Sequence, residues 1–331
     1  MLKYKCNLLK IICIFIIAIS LFPTICIASE SIYTWSNNAK PLTETIPTNA
    51  TTSLSLNVGS AVLIEQNSGQ VLYNQNMHEK LRPASVTKVM TILLIMEAID
   101  SGKLSYTDKI PCSEKAAGMG GSQIWLDVRE ELTVDEMLKA ICVVSANDCT
   151  VAMAEYLAGS EEAFVNQMNA KAKELGMNDT TFKNCHGIDE DGHVTSAYDI
   201  ALMSRDLLTK HPSITKYTTI YMDSLRDGKS SLVNTNKLVR NYKGATGLKT
   251  GSTSVALYNL SASATRNDLS LIAVIMKAPT SPIRFAEAQK LLDYGFNNFE
   301  YKKLANKNDL IKEISVDKGI ENSVNAILEN E

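Results

Sequence analysis

A serine and a lysine three residues apart, Ser85 and Lys88, sit in the stretch Arg82-Pro83-Ala84-Ser85-Val86-Thr87-Lys88-Val89-Met90-Thr91, at the mouth of a long apolar run. Pro83 suits the first turn of a helix, and residues 89–99 are apolar almost all round, which predicts a buried helix starting near Ser85. Residues i and i+3 share a helix face, so the Lys88 amine is expected beside the Ser85 hydroxyl. Burial and the positive end of the helix dipole both disfavour an ammonium there. A neutral amine could take the serine proton and make Ser85 an activated nucleophile. A serine at a helix N-terminus is by itself usually only a cap, so the pair needs support from elsewhere.

Two further clusters supply it, in order along the chain: Ser145-Ala146-Asn147 and Lys249-Thr250-Gly251. An amphipathic pattern over 134–144 delivers Ser145, and a second begins at Asn147 and Asp148 and runs to Gly159. Ser145 and Asn147 therefore fall on a turn between helices, where both side chains can face a cleft. Residues 247–252 enter a strand. The set S-x-x-K, S-x-N, K-T-G is a signature of penicillin-binding proteins and, with S-D-N in the middle, of class A β-lactamases.

The elements that must position these residues are legible around them. Residues 60–65 and 71–73, with a turn at Asn67-Ser68-Gly69, read as a β-hairpin leading to the Ser85 helix. Glycines in Gly118-Met119-Gly120-Gly121-Ser122 mark a flexible or close-approach loop. Residues 161–175, ended by Gly176, form another amphipathic helix. Residues 184–199, from Asn184 through His186 and Asp189 to Asp199, are a loop dense in polar side chains. Strands are expected at 256–263 and 269–276 around a turn at 265–268. They are too apolar for a half-exposed sheet, as befits one covered by helices. A helix over 281–294, with Phe285, Ala288, Leu291 and Leu292 on one face, should pack on it.

The 331-residue chain carries a net charge of −3 at pH 7 and is 45% hydrophobic, ordinary for a globular protein. Residues 1–28 combine Lys3, Lys5 and Lys10 with an apolar run from Ile11 to Phe22 and a small-residue site ending at Ala28. This predicts a secretory signal peptide cleaved after Ala28 and an exported, extracytoplasmic protein. Ile25 before Cys26 is a poor fit to a lipidation site. Cleavage would remove three lysines and no acid, and the more negative balance argues against a nucleic-acid partner. Residues 29–55, rich in Ser, Thr, Asn and Pro, read as a flexible linker. Cys112, Cys142, Cys149 and Cys185 remain in the exported part. Their spacing fits no zinc site, pairing of Cys142 with Cys149 is disfavoured, and all four read as buried apolar residues.

Residues 58–298 resemble the serine-type D-alanyl-D-alanine carboxypeptidases, the low-molecular-mass penicillin-binding proteins. Beyond the three motifs, 168–177, 186–199 and the stretch from Asn234-Thr235-Asn236-Lys237-Leu238 to Gly251 carry the likeness. It implies an α+β, β-lactamase/transpeptidase-like fold. An antiparallel sheet is built from both chain ends, a helical subdomain is inserted between them, and the active site lies at the seam. The catalytic domain would span 56–298, and 299–331 would open a small, truncated β-rich C-terminal domain. The amphipathic membrane-anchoring helix of many relatives is missing from the sequence, which leaves peripheral membrane association open.

The resemblance also implies roles. Ser85 would attack the carbonyl between two terminal D-alanines of a peptidoglycan stem peptide, with Lys88 as base. The N–H groups of Ser85 and Ser252 would form the oxyanion hole. Ser145 would relay a proton to the leaving amine and Asn147 hold the substrate amide. Lys249, facing a cleft, and Thr250, flanked by Gly251 and with Arg284 as a further candidate, would bind the terminal carboxylate by charge and hydroxyl. No metal or organic cofactor is needed, and β-lactam antibiotics would acylate Ser85. The alternatives are a β-lactamase and a non-catalytic penicillin-binding sensor or cell-wall-binding protein. Against the lactamase stands Ala146 in place of the aspartate of S-D-N. Glu162-Ala163-Phe164-Val165-Asn166 resembles a deacylating glutamate motif, but its apolar residues follow a helical period. A serine triad through His186 and Asp189 lacks the G-x-S-x-G elbow, which makes His186 a residue that fixes its loop.

Overall fold

The computed structural model describes residues 54–302 and 308–327. The expected signal segment and residues 29–53 of the expected linker lie outside the described residues. Strands β1 (Ser60–Glu65) and β2 (Val71–Gln75) form the expected antiparallel hairpin. The Glu65 carboxylate accepts the N–H groups of Asn67 and Ser68 in its turn. Helix α1 (Lys88–Asp100) follows, then the short pair β3 (Lys109–Pro111) and β4 (Glu131–Thr133). Three helices come next: α2 (Val134–Val143), α3 (Asn147–Ala158) and α4 (Glu161–Glu174).

Their ends are written in the sequence. Thr133 and Glu136 make a reciprocal capping box at α2, Gly159 ends α3 in a left-handed conformation, and Ser160 caps α4. Helix α5 (Ala197–Lys210), capped by Ser196, continues directly from the polar loop. It had no counterpart in the sequence expectations, nor had the hairpin β5 (Met222–Leu225) and β6 (Ser230–Val233).

Strands β7 (Ala245–Thr253), β8 (Leu257–Arg266) and β9 (Leu269–Ala278) complete a five-stranded sheet in the order β2-β1-β9-β8-β7, antiparallel throughout. Both chain ends thus contribute to one sheet, with α1–α5 inserted between them. Helix α6 (Ser281–Asn298), capped by Thr280, runs four residues past the expected end. A final hairpin, β10 (Leu310–Ser315) and β11 (Ser323–Ile327), is the small β-rich C-terminal region.

Side-chain alternation sorts the sheet's two faces. Val62, Ile64, Ile272, Val274 and Met276 join the core formed with helices α1 to α5. Ala61, Leu63, Leu260, Ala262, Leu271 and Ile275 face the other way, against Phe285, Ala288, Leu291 and Leu292 of α6. Covering on both faces accounts for the apolar strands.

Cys112, Cys142, Cys149 and Cys185 are all buried, as expected, and all free. Burial pushes the Cys142 thiol up to about 12.

Candidate active site

The chain reaches Ser85 through a tighter turn than the sequence suggested. Ala84–Thr87 is a 3-10 turn, and the α-helix begins only at Lys88. In a 3-10 turn residues i and i+3 eclipse, which sets Lys88 directly over Ser85. Lys88 Nζ and Ser85 Oγ are 3.0 Å apart.

The lysine is fully buried, and its other contacts are both acceptors: Asn147 Oδ1 at 2.6 Å and the His186 carbonyl at 2.7 Å. Asn147 Nδ2 donates to the Gly120 carbonyl at 2.7 Å, so the Asn147 oxygen faces the lysine. A neutral amine has two N–H groups for those two acceptors and one lone pair left for the Ser85 O–H. Burial, and next the Lys249 charge, hold the Lys88 pKa well below that of a free lysine. Desolvation leads.

The turn carrying Ser145 joins α2 to α3. Ser145 has a φ of 66°, and its hydroxyl is buried with no hydrogen-bond partner among the described residues. A buried hydroxyl left unpaired costs stability, which a ligand's polar group would recover. The expected close-approach loop is in place, since the Asn147 N–H donates to the Ser122 carbonyl at 2.7 Å.

Strand β7 is an edge strand and closes the site opposite the helices. Lys249, expected to face a cleft, is only 1% exposed and lies beneath the surface. Its Nζ donates to the Thr250 carbonyl at 3.0 Å. Burial, aided by the Arg284 charge and opposed by Cys142, lowers its pKa to about 7. Thr250 Oγ1 donates to Thr235 Oγ1 at 2.7 Å, while Ser252 is exposed at the strand's end.

These geometries meet an independent finding from known proteins. A family model for D-alanyl-D-alanine carboxypeptidases (peptidase family S11) matches residues 47–280. The chain belongs to the D-alanyl-D-alanine carboxypeptidase family. D-alanyl-D-alanine carboxypeptidase DacF of Bacillus subtilis is 52% identical over 272 residues, covering 81% of this chain and 70% of that protein. Penicillin-binding protein 5 of Haemophilus influenzae superposes with a TM-score of 0.79 at 33% identity, covering 84% of this chain and 82% of that one. Penicillin-binding protein D2 of Listeria monocytogenes, in an ampicillin-bound form, has a TM-score of 0.67 at 31% identity, covering 73% and 99%. The fold is that of the penicillin-binding proteins.

Family membership gives a reason for Gly251. A Cβ there would lie 2.8 Å from the Pro83 oxygen and the Val86 nitrogen and 2.9 Å from the Ser85 nitrogen, all backbone atoms. Only a bare backbone lets β7 approach the Ser85 turn this closely. Gly251→Ala is expected to push the strand off the turn and slow acylation of Ser85 by about tenfold. Stopped-flow acylation by a fluorescent penicillin measures it, and a wild-type rate would show that the approach is not needed.

Other expected residues occupy supporting positions. The Arg284 guanidinium donates to the carbonyls of Gly251 at 3.3 Å and Asn259 at 3.2 Å, and stacks on Phe285. It braces β7 against β8 and α6. The His186 ring fixes its loop, Nδ1 accepting the Ile188 N–H at 3.2 Å and Nε2 lying 3.4 Å from Glu161 Oε1. Glu161 also takes the Cys185 N–H and the Lys115 ammonium. The neighbouring Glu162 is exposed, in keeping with reading its motif as a helical coincidence.

Sequence reasoning missed Asn259. Fully buried on β8, it donates from Nδ2 to the Arg82 and Pro83 carbonyls at 2.9 and 3.0 Å and accepts the Lys277 N–H at 2.8 Å. It clamps the chain just before Ser85. An asparagine inside a strand, where the residue is disfavoured, was the available signal.

Proposed function

We propose that the chain is a serine-type D-Ala-D-Ala carboxypeptidase that removes the terminal D-alanine from peptidoglycan stem pentapeptides through an acyl-enzyme on Ser85, and that penicillin acylates the same hydroxyl. The observation that carries the reading is the Lys88 amine, buried between two acceptors with its lone pair left for Ser85. The Ser85 oxygen bonds to the carbonyl carbon while its proton passes to Lys88 Nζ. The oxyanion is held by the Ser85 and Ser252 N–H groups, each such donor typically being worth about 3 kcal/mol.

Collapse breaks the C–N bond, and D-alanine leaves as the amine after a proton arrives through the Ser145 hydroxyl. Water then attacks the ester and Ser85 regains its proton. Asn147 fixes Lys88 with its oxygen and keeps one amide N–H for the substrate. Lys249 and Thr250 receive the terminal carboxylate, and Arg284 supports them from behind the strand.

Action on the wall calls for a protein outside the cytoplasm, which supports reading residues 1–28 as an export signal. Among the described residues no helix is long and apolar enough to cross a membrane.

Two assays test the reading. Labelled penicillin should attach to Ser85, as located by peptide mass mapping, and a diacetylated tripeptide ending in D-Ala-D-Ala should release D-alanine. Label on another residue would overturn the nucleophile. Label on Ser85 without D-alanine release would leave a sensor, and rapid catalytic turnover of penicillin would make the protein a β-lactamase.

A further inference from the structure

On the segment tied to Asp148, the neighbour of Asn147, the protein holds an aromatic ring out into water. Trp125 is 74% exposed, yet its backbone is pinned from two sides. The buried Asp148 carboxylate accepts the N–H groups of Ile124 at 3.0 Å and Leu126 at 3.1 Å. The Arg226 guanidinium donates to the carbonyls of Ile124 at 2.9 Å and Trp125 at 3.2 Å, while Glu130 Oε1 pairs with it at 2.6 Å. Trp125 also takes a φ of 55°, which bulky residues rarely adopt. Two charged side chains and a strained backbone are thus committed to presenting a large apolar ring that folding does not bury. An exposed aromatic so fixed fits a ligand's face.

The ring borders a cavity of about 530 Å³. Lys229 and Ser231 line it from the β5–β6 hairpin, and Val144, which precedes Ser145 in the chain, lines it from the α2–α3 turn. Both walls are tied to the active site. Ser122 accepts the Asn147 N–H at 2.7 Å, and the Thr235 N–H reaches the Val143 carbonyl at 3.0 Å. The Arg226 charge is matched by Glu130, whereas Lys229 makes no ion pair among the described residues. The cavity therefore offers an apolar plate, a hydroxyl and an uncompensated cation on segments bonded to those that carry Ser145 and Asn147.

Building on the carboxypeptidase reading, we propose that this cavity is a distal substrate subsite. It takes the stem-peptide residues that precede the two D-alanines. The Trp125 indole covers their aliphatic side chain, and the Lys229 ammonium meets a free carboxylate such as the α-carboxylate of a γ-linked glutamate. The subsite selects long stem peptides over short ones.

The test compares kcat/KM for D-alanine release from L-Ala-γ-D-Glu-L-Lys-D-Ala-D-Ala with that from acetyl-D-Ala-D-Ala. The wild type should prefer the pentapeptide. Trp125→Ala should cut that preference about three- to tenfold, mainly through KM, with Trp125→Phe restoring most of it. Lys229→Ala should cut it about two- to fivefold, less so at high salt. Melting temperature and stoichiometric penicillin labelling report that the variants are folded. A wild type without preference, or variants that keep it, overturns the subsite. Should neither peptide be cleaved, the carboxypeptidase reading fails instead. The subsite is then decided by titrating the pentapeptide into Ser85→Ala protein: binding weakened by Trp125→Ala supports it, and no binding, or binding indifferent to that change, overturns it.

Discussion

Lys88→Arg is expected to slow acylation of Ser85 by roughly 10²–10⁴-fold, the usual worth of a positioned general base. Arginine keeps its proton at any accessible pH and has no lone pair to offer the serine. Lys88→Met, with similar length and no charge, should be equally inactive and should melt somewhat below the wild type, because it removes three hydrogen bonds and leaves the buried Asn147 and His186 oxygens without a donor. The wild-type pH profile carries the same signature. The base form is the neutral amine, so acylation is full above the depressed Lys88 pKa and falls as pH drops through it. Rapid-mixing acylation by a fluorescent penicillin reads both effects. An arginine variant within tenfold of wild type would remove Lys88 from the role.

What the sequence made legible was local or carried by motif. Ser85 and Lys88 are three residues apart, so any helical turn brings them together, and caps such as Thr133 with Glu136 state their own ends. Long-range features were not legible. Asn259 reaches carbonyls 176 and 177 residues away, and nothing near it in sequence names that partner. The depth of Lys249 was missed for the same reason: a strand pattern says which face a side chain takes, while its burial depends on what α2 and α6 bring up behind it. Arg284 was a candidate for the substrate carboxylate. Tertiary packing turned its guanidinium toward two strand carbonyls. The polar residues of β8 follow suit, Ser261 meeting Ser204 at 2.8 Å and Ser263 meeting Thr246 at 2.7 Å. Each looks like a flaw in an apolar strand until its partner on another element is known.

The burial of Lys249 sharpens what its removal should do. In the free protein its pKa is lowered to about 7, against about 10.4 in an unfolded chain. The folded state therefore binds fewer protons between those values. On this group's account stability is lowest below pH 7 and rises with pH across the window. A substrate carboxylate reverses the balance, because it favours the ammonium and draws a proton onto Lys249 as it binds. KM for a peptide ending in a free D-alanine should accordingly rise as pH climbs above about 7, while KM for the amidated peptide stays flat. Lys249→Met fills the same space without the amine. It should lower kcat/KM for the free acid by roughly 1.5–3 kcal/mol, about 10- to 150-fold, with a much smaller loss on the amide. Its melting temperature at pH 6 should equal or exceed that of the wild type, since an ammonium held in a desolvated place has been removed. Equal losses on acid and amide, or a pH-independent KM, would return Lys249 to a structural role. A large fall in melting temperature would do the same.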